Sequence, residues 1–268
     1  MADLIDEYAR HLRTLRRPAT VETYVDLLRR LDHVLPYGLA ECCHEELIEA
    51  IYVDGRAPAT KALYRAAVRE FYRWAADDDG PLDFDPTTRL PRVRVPNREP
   101  DPISTEQLDD ILGRAGSPYR VWYLLAAGCG LRCCEISALD REHITYASMR
   151  ITGKGGKVAS MFVPAQVWAA VRDFPPGPIA RSTDGRRATR KDVRDRGNRH
   201  LQVRLGLRDV HMHRLRHWYG TEMYRAHGEF VAQRLLRHAS PATTAMYAKV
   251  ASSALAAAVA AVPLPVKI

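Results

Sequence analysis

The sequence has no run approaching the roughly 20 consecutive apolar residues that a membrane helix needs. A membrane-spanning role is excluded on that ground. The first fifteen residues, MADLIDEYARHLRTL, carry acids early and lack the basic, then apolar, then small-residue order of a secretory signal. The expected compartment is the cytoplasm. Cysteine is scarce: Cys42, Cys43, Cys129, Cys133 and Cys134 make an odd count of five, with two adjacent pairs. That pattern is not a disulfide framework, and it suits a reducing environment. Cys42, Cys43 and His44 are contiguous and no matching ligand module accompanies them, so a zinc site is not expected there. A clustered set of acids of the kind that holds catalytic magnesium is missing as well. No metal and no other cofactor is expected.

What the chain does carry is positive charge, unevenly placed. Across 268 residues the net charge is +8. Residues 1–90 hold 12 Lys and Arg against 17 Asp and Glu, a net of −5, so residues 91–268 hold 28 against 15, a net of +13. A basic second part makes a polyanion partner plausible.

The apolar spacing is helical through the first region. Leu4, Ile5, Tyr8, Leu12 and Leu15 define one helix over 3–16, and Pro18 and Thr20 open a second that runs to Val34. A third covers about 43–53 and a fourth about 58–77, with Tyr64, Ala67, Val68, Phe71 and Trp74 on its apolar side. Lys61, Arg65, Arg69 and Arg73 recur every four residues on that fourth helix and form a basic stripe. It is either a solvated face or a track for phosphates. Residues 80–103 are proline-rich and read as an extended linker with a boundary near residue 95. The expected organisation is a helical domain over 1–90, a linker over 91–103 and a second domain over 104–268.

The second domain is mixed but mainly helical. Ser104 followed by Gln107 is a capping box, and helices are expected to about 114, over 118–129 and over 132–139. Residues 149–163 read as a β-hairpin around a glycine-rich turn. Helices follow at about 165–173, 190–203, 212–226, 229–237 and 241–249, and an alanine-rich tail forms a last one.

Four stretches carry chemistry-bearing residues. In TGKGGK the glycines suggest a nucleotide loop, but Val158 stands where a P-loop needs Ser or Thr. Lys154 and Lys157 on such a turn can instead reach a phosphate. His213 and His217 are four apart, as a zinc pair would be, yet Arg214 and Arg216 surround them with positive charge and no Glu takes the base position. Arg132 stands in the apolar stretch CGLRCCEISALD, three residues before Glu135. An arginine in that setting needs an ion pair or a bound anion. His238 precedes Tyr247 by nine residues among further basic side chains.

In this order the four stretches resemble the tyrosine recombinase, or phage integrase, family. GLRCCEISAL is similar to its first arginine box, TGKGGK to its lysine hairpin, HRLRH to its His-x-x-Arg box, and LLRHAS with Tyr247 to its third box and nucleophile. The resemblance implies a mainly α fold with a small β-hairpin or sheet: an all-helical N-terminal DNA-binding domain and a mixed α/β catalytic domain. It implies Arg132, Lys154, His213, Arg216, His238 and Tyr247 as catalytic residues, with Glu135 and His217 in support. Arg237 departs from the pattern, because the family usually has glycine before this histidine.

The implied reaction is strand cleavage and rejoining. Tyr247 would attack a DNA phosphorus, form a 3′-phosphotyrosyl bond and release a 5′-hydroxyl, with neither metal nor ATP. Arg132 and Arg216 would hold the phosphate, Lys154 would protonate the leaving oxygen, and His213 would handle the tyrosine proton. The partners implied are double-stranded DNA bearing a core-type site and, on that DNA, a homo-tetramer; the free protein is expected as a monomer or weak oligomer. The basic stripe and a second run, Arg186, Arg187, Arg190, Lys191, Arg194 and Arg199, would contact DNA phosphates. The helical region begins almost at Met1, which suggests a compact enzyme without an arm-binding domain and a role in integration and excision of a phage or mobile element. A Xer-like resolvase, a silent DNA-binding regulator and a metal-dependent nuclease are the alternatives.

Overall fold

The computed structural model describes residues 4–96, 101–152 and 158–237. It divides into two compact units, Met1–Asn97 and Arg98–Ile268. The architecture of the described residues is mainly α with one small antiparallel sheet, in agreement with the fold class expected.

The first unit is built from α1 (Leu4–Leu15), α2 (Pro18–Val34), α3 (Gly38–Glu41), α4 (His44–Ile51) and α5 (Pro58–Ala75). Proline at the first helical position starts both α2 and α5, where its missing N–H costs nothing. The buried face of α5 is Tyr64, Ala67, Val68, Phe71, Tyr72 and Ala75, and Tyr8 of α1 meets Phe71 edge-on at 5.3 Å. The short α3 was not visible in the apolar spacing. It forms because Gly38 adopts a left-handed φ of 67° and Asp32 accepts the Leu39 amide at 2.8 Å.

Residues 81–90 are not free spacer. Thr87 and Leu90 are buried against the first unit, and the Leu82 amide donates to Ala75. Arg65 donates through Nε and Nη2 to the Leu90 carbonyl at 3.2 and 3.1 Å. This member of the basic stripe is therefore occupied in holding the chain segment that leaves the unit.

The second unit contains α6 (Thr105–Arg114), α7 (Tyr119–Gly128), α8 (Cys133–Ala138), β1 (Ser148–Thr152), β2 (Val158–Phe162), α9 (Ala165–Val171), α10 (Arg190–Arg199) and α11 (Met212–Leu236). The capping box at the start of α6 is present: the Gln107 amide donates to Ser104 Oγ at 3.1 Å, and Gln107 Oε1 accepts the Ser104 amide at 3.0 Å. Helix α7 is apolar on nearly all sides and is the centre of the core, packing against α6, α8, α9 and α11. β1 and β2 pair antiparallel with Ile151 opposite Ala159, and the buried residues of β1 alternate as a half-buried strand requires. The hairpin turn, with Lys154 and Lys157, lies outside the described residues, as do the expected helices after residue 237.

Two details of this unit set up the site. The helix expected over 190–203 is present, as α10 continued by a π-helical turn, His200–Arg204. The helices expected at 212–226 and 229–237 are both present as the two arms of α11, which meet at Gly228, where a φ of 77° and a ψ of 179° leave the helical region in a conformation open to glycine. The bend brings the end of α11 back to its own second turn.

Candidate active site

Arg132 stands immediately before α8, in extended conformation, at the end of a tight turn through Gly130. Gly130 has φ +60°, and a Cβ there would lie 2.5 Å from the Tyr219 ring. The glycine of the GLR stretch thus lets the arginine turn pack on α11. Tyr219 is buried, and burial raises its phenol pKa, followed by nearby Cys129. Trp218 packs against the same core and donates from Nε1 to Thr105 Oγ1 at 3.3 Å.

The centre of the site is a buried carboxylate. Glu135 has 2% of its surface exposed. Its Oε2 accepts the Arg132 backbone amide at 2.8 Å and Arg237 Nη2 at 2.8 Å, while Oε1 accepts Arg132 Nη1 at 3.1 Å. Arg216 Nη1 lies 4.0 Å from Oε2. Three guanidinium groups from distant parts of the chain converge on one carboxylate. A buried carboxylate is tolerated only when it is compensated in this way.

The three arginines differ in access. The Arg132 side chain is 36% exposed, Arg237 18% and Arg216 2%. Arg216 donates to the Gly130 carbonyl, and through Nη2 to the Leu236 carbonyl at 2.8 Å. It therefore braces both the turn before Arg132 and the end of α11. Its planar fork, with donors fixed in two directions, is the property lysine lacks.

His213 sits on the first turn of α11, three residues before Arg216, and its ring meets the His217 ring edge-on at 4.4 Å. His213 is exposed at its edge of the cluster, yet desolvation by the protein on its other side lowers its pKa to about 4, followed by the charge of Arg216 and then by His211 and Arg132. The imidazole is neutral at pH 7. Asn198 Oδ1 accepts the Met212 amide at 2.8 Å and fixes the entrance to α11.

The structure thus brings together Arg132, Glu135, His213, Arg216 and His217. Lys154, His238 and Tyr247 lie outside the described residues. Arg237 was not expected to be part of the cluster. Its one signal in the sequence was an arginine in a place where the resembled family usually has glycine. The second basic run is heterogeneous. Arg187 donates to the Ser137 carbonyl at 2.9 Å and to Asp140 at 2.6 Å, Arg186 pairs with Asp184, and Arg194 pairs with Asp195. Arg190, Lys191 and Arg199 are exposed on α10.

Comparison with known proteins places the chain in a family. The profile of the phage integrase family matches residues 102–253. A tyrosine recombinase XerC of Shewanella amazonensis is 28% identical over 269 residues, covering 92% of this chain and 90% of the relative. A tyrosine recombinase XerC of Chromohalobacter salexigens is 31% identical over 220 residues, covering 73% of this chain and 71% of the relative. Among solved structures, a lambda integrase dimer bound to a COC' core site aligns with a TM-score of 0.72 at 16% identity, over 90% of this chain and 95% of that one. The XerH recombinase bound to a palindromic difH substrate aligns with a TM-score of 0.69 at 18% identity, over 96% of this chain and 83% of that one. At such identities the structural likeness shows a shared fold.

Proposed function

The chain belongs to the phage integrase family and is a tyrosine recombinase, an enzyme of site-specific DNA strand exchange; from that premise we propose that Tyr247 is its nucleophile and that the Arg132–Glu135–Arg216 cluster is its phosphate site. The observation that carries the proposal is the meeting of Arg132 and Arg216 at one buried carboxylate, with His213 one turn away on α11.

In this reading the Tyr247 oxygen attacks a backbone phosphorus. A P–O bond to tyrosine forms, the P–O bond to the 5′-oxygen breaks, and a 3′-phosphotyrosyl ester results. The bond energy is conserved, so a 5′-hydroxyl of another strand can reverse the step without ATP. Neutral His213 assists removal of the phenol proton, and Lys154 supplies the proton to the departing 5′-oxygen. Negative charge gathers on the non-bridging oxygens as the phosphorus becomes five-coordinate. Arg132, the open member of the cluster, presents its fork to them, and Arg216 adds its charge from beneath. Preorganised charge of this kind is commonly the largest catalytic contribution. His238 would hydrogen-bond the phosphate, and His217 supports His213.

Duplex DNA is the substrate in this reading, with Lys61, Arg69 and Arg73 of the first unit and Arg190, Lys191 and Arg199 of the second as phosphate contacts. Exchange between two duplexes calls for four protomers. A lambda integrase tetramer bound to a Holliday junction, aligned with a TM-score of 0.72, supports that assembly. The biological outcome has two readings. The resemblance favours integration and excision of a phage or mobile element. The curated relatives named XerC, one of them matched over nine-tenths of both chains, favour a Xer-type resolvase.

Selection of a bound site from random-sequence duplexes, followed by reaction of two copies on one plasmid, tests the proposal. Recombinant circles are expected with EDTA present and ATP omitted, and a requirement for Mg²⁺ would contradict it. Matching the selected site to phage attachment sites or to chromosome-dimer resolution sites separates the two outcomes.

A further inference from the structure

Arg237 is the one non-glycine residue with a left-handed backbone among the described residues, at φ 54° and ψ 44°. It ends α11 in the conformation that glycine adopts without cost and other residues adopt with strain. Something must hold it there. Its Nη2 binds Glu135 Oε2 at 2.8 Å, and its Nη1 donates to the Leu235 carbonyl at 3.0 Å. Its Nε is buried without a hydrogen-bond partner among the described residues. The guanidinium therefore turns inward to the carboxylate, although a basic residue beside a phosphate site has every electrostatic reason to face the phosphate.

The position has two consequences. First, Glu135 lies 3.1 Å from one guanidinium of the phosphate pair and 4.0 Å from the other. Its negative charge offsets theirs in a poorly solvated setting, where such interactions are strong. A third guanidinium on Oε2 cancels that offset. Second, the residue before Arg237 supplies the carbonyl that Arg216 binds at 2.8 Å. The dipeptide Leu236–Arg237 is thus gripped by both Arg216 and Glu135 at the point where the chain leaves α11 toward His238 and Tyr247.

We propose that Arg237 is a positioning residue for the cleavage step: it neutralises Glu135 so that Arg132 and Arg216 keep their full charge for the phosphate, and it anchors the origin of the segment that carries the nucleophile. The proposal rests on the reading of Tyr247 as nucleophile and of Arg132 and Arg216 as the phosphate site.

The test uses the full chain and a nicked duplex built on the site selected from a random-sequence pool, with single-turnover formation of the covalent adduct as the readout. Arg237→Gly removes the guanidinium and with it the backbone strain, which offsets part of the lost Glu135 contact; circular dichroism and the duplex-binding measurement establish that the variant is folded. It should bind the uncleaved duplex within twofold of wild type and form adduct at least fivefold more slowly. Arg237→Lys, which keeps the charge, should recover to within threefold of wild type. Adduct formation by Arg237→Gly less than fivefold slower than wild type overturns the proposal. So does an Arg237→Lys variant as slow as Arg237→Gly, or a loss of binding equal to the loss of cleavage. Tyr247→Phe serves as the control. Adduct persisting in Tyr247→Phe removes the underlying reading, whereas adduct lost there but unaffected in Arg237→Gly removes this proposal alone.

Discussion

Arg216 Nη2 donates to the Leu236 carbonyl at 2.8 Å, joining the second turn of α11 to its last residue. That bond is possible because the helix bends at Gly228. It makes one side chain a brace for the turn before Arg132, for the end of α11 and for the charge balance of Glu135.

Loss of this brace should be severe. Arg216→Ala leaves a buried carboxylate short of a partner and two carbonyls without a donor, so destabilisation of about 3–5 kcal/mol is expected. Arg216→Lys keeps the charge but not the fork, and should cost about 2 kcal/mol. Urea unfolding followed by circular dichroism measures both. A change below about 1 kcal/mol in the alanine variant would contradict the bracing role.

His213 gives a prediction with a definite sign. Its pKa in the folded protein is about 4, below the ordinary value near 6.5. As pH falls from about 6.5 toward 4, the unfolded chain takes up a proton that the folded chain refuses. Stability should decline through that window, and His213→Gln should flatten the decline; above it the residue contributes no pH dependence. Histidine titration by NMR on DNA-free protein should place the midpoint near 4. A midpoint at 6 or higher would show that the crowding and positive charge around the ring do not act on it.

Gly130 is held at φ +60° beneath the Tyr219 ring. Gly130→Ala adds left-handed strain and a clash with an aromatic ring that is itself buried. A loss of about 2–3 kcal/mol, seen as a lower Tm, is expected. The companion Gly130→Ala/Tyr219→Leu variant should recover part of it.

The basic stripe on α5 divides into two kinds of residue. Arg65→Ala should lower stability by about 1–2 kcal/mol through loss of the Leu90 carbonyl bonds. Replacing Lys61, Arg69 and Arg73 together should leave stability nearly unchanged. It should also reduce the slope of log K against log salt by about 2–3, since each phosphate contact contributes about 0.9. An unchanged slope would remove the stripe from the DNA surface.

Much of this was legible in the sequence because its signals are local. Proline at helix starts, the Ser104–Gln107 box, the alternation along β1 and the i, i+3 spacing of Arg132 and Glu135 each depend on neighbours in the chain. What was not legible is set by distant contacts. The role of Arg65 depends on a carbonyl 25 residues away. Arg187 looked like a surface cation, yet Ser137 and Asp140 hold it. Arg237 reaches Glu135 only because Gly228 folds α11 back, and no periodicity foretells that a left-handed arginine will point inward.

The central claim is that Tyr247 becomes covalently joined to a DNA 3′-phosphate, and the most direct measurement traps that state. A nicked duplex carrying the selected site is incubated with the protein in EDTA, the adduct is digested with protease and nuclease, and the modified peptide is sequenced by mass spectrometry. The nucleotide is expected on Tyr247, and Tyr247→Phe should give no adduct. A nucleotide carried by Tyr219, Tyr224 or any other residue, or an adduct that survives Tyr247→Phe, would contradict the account.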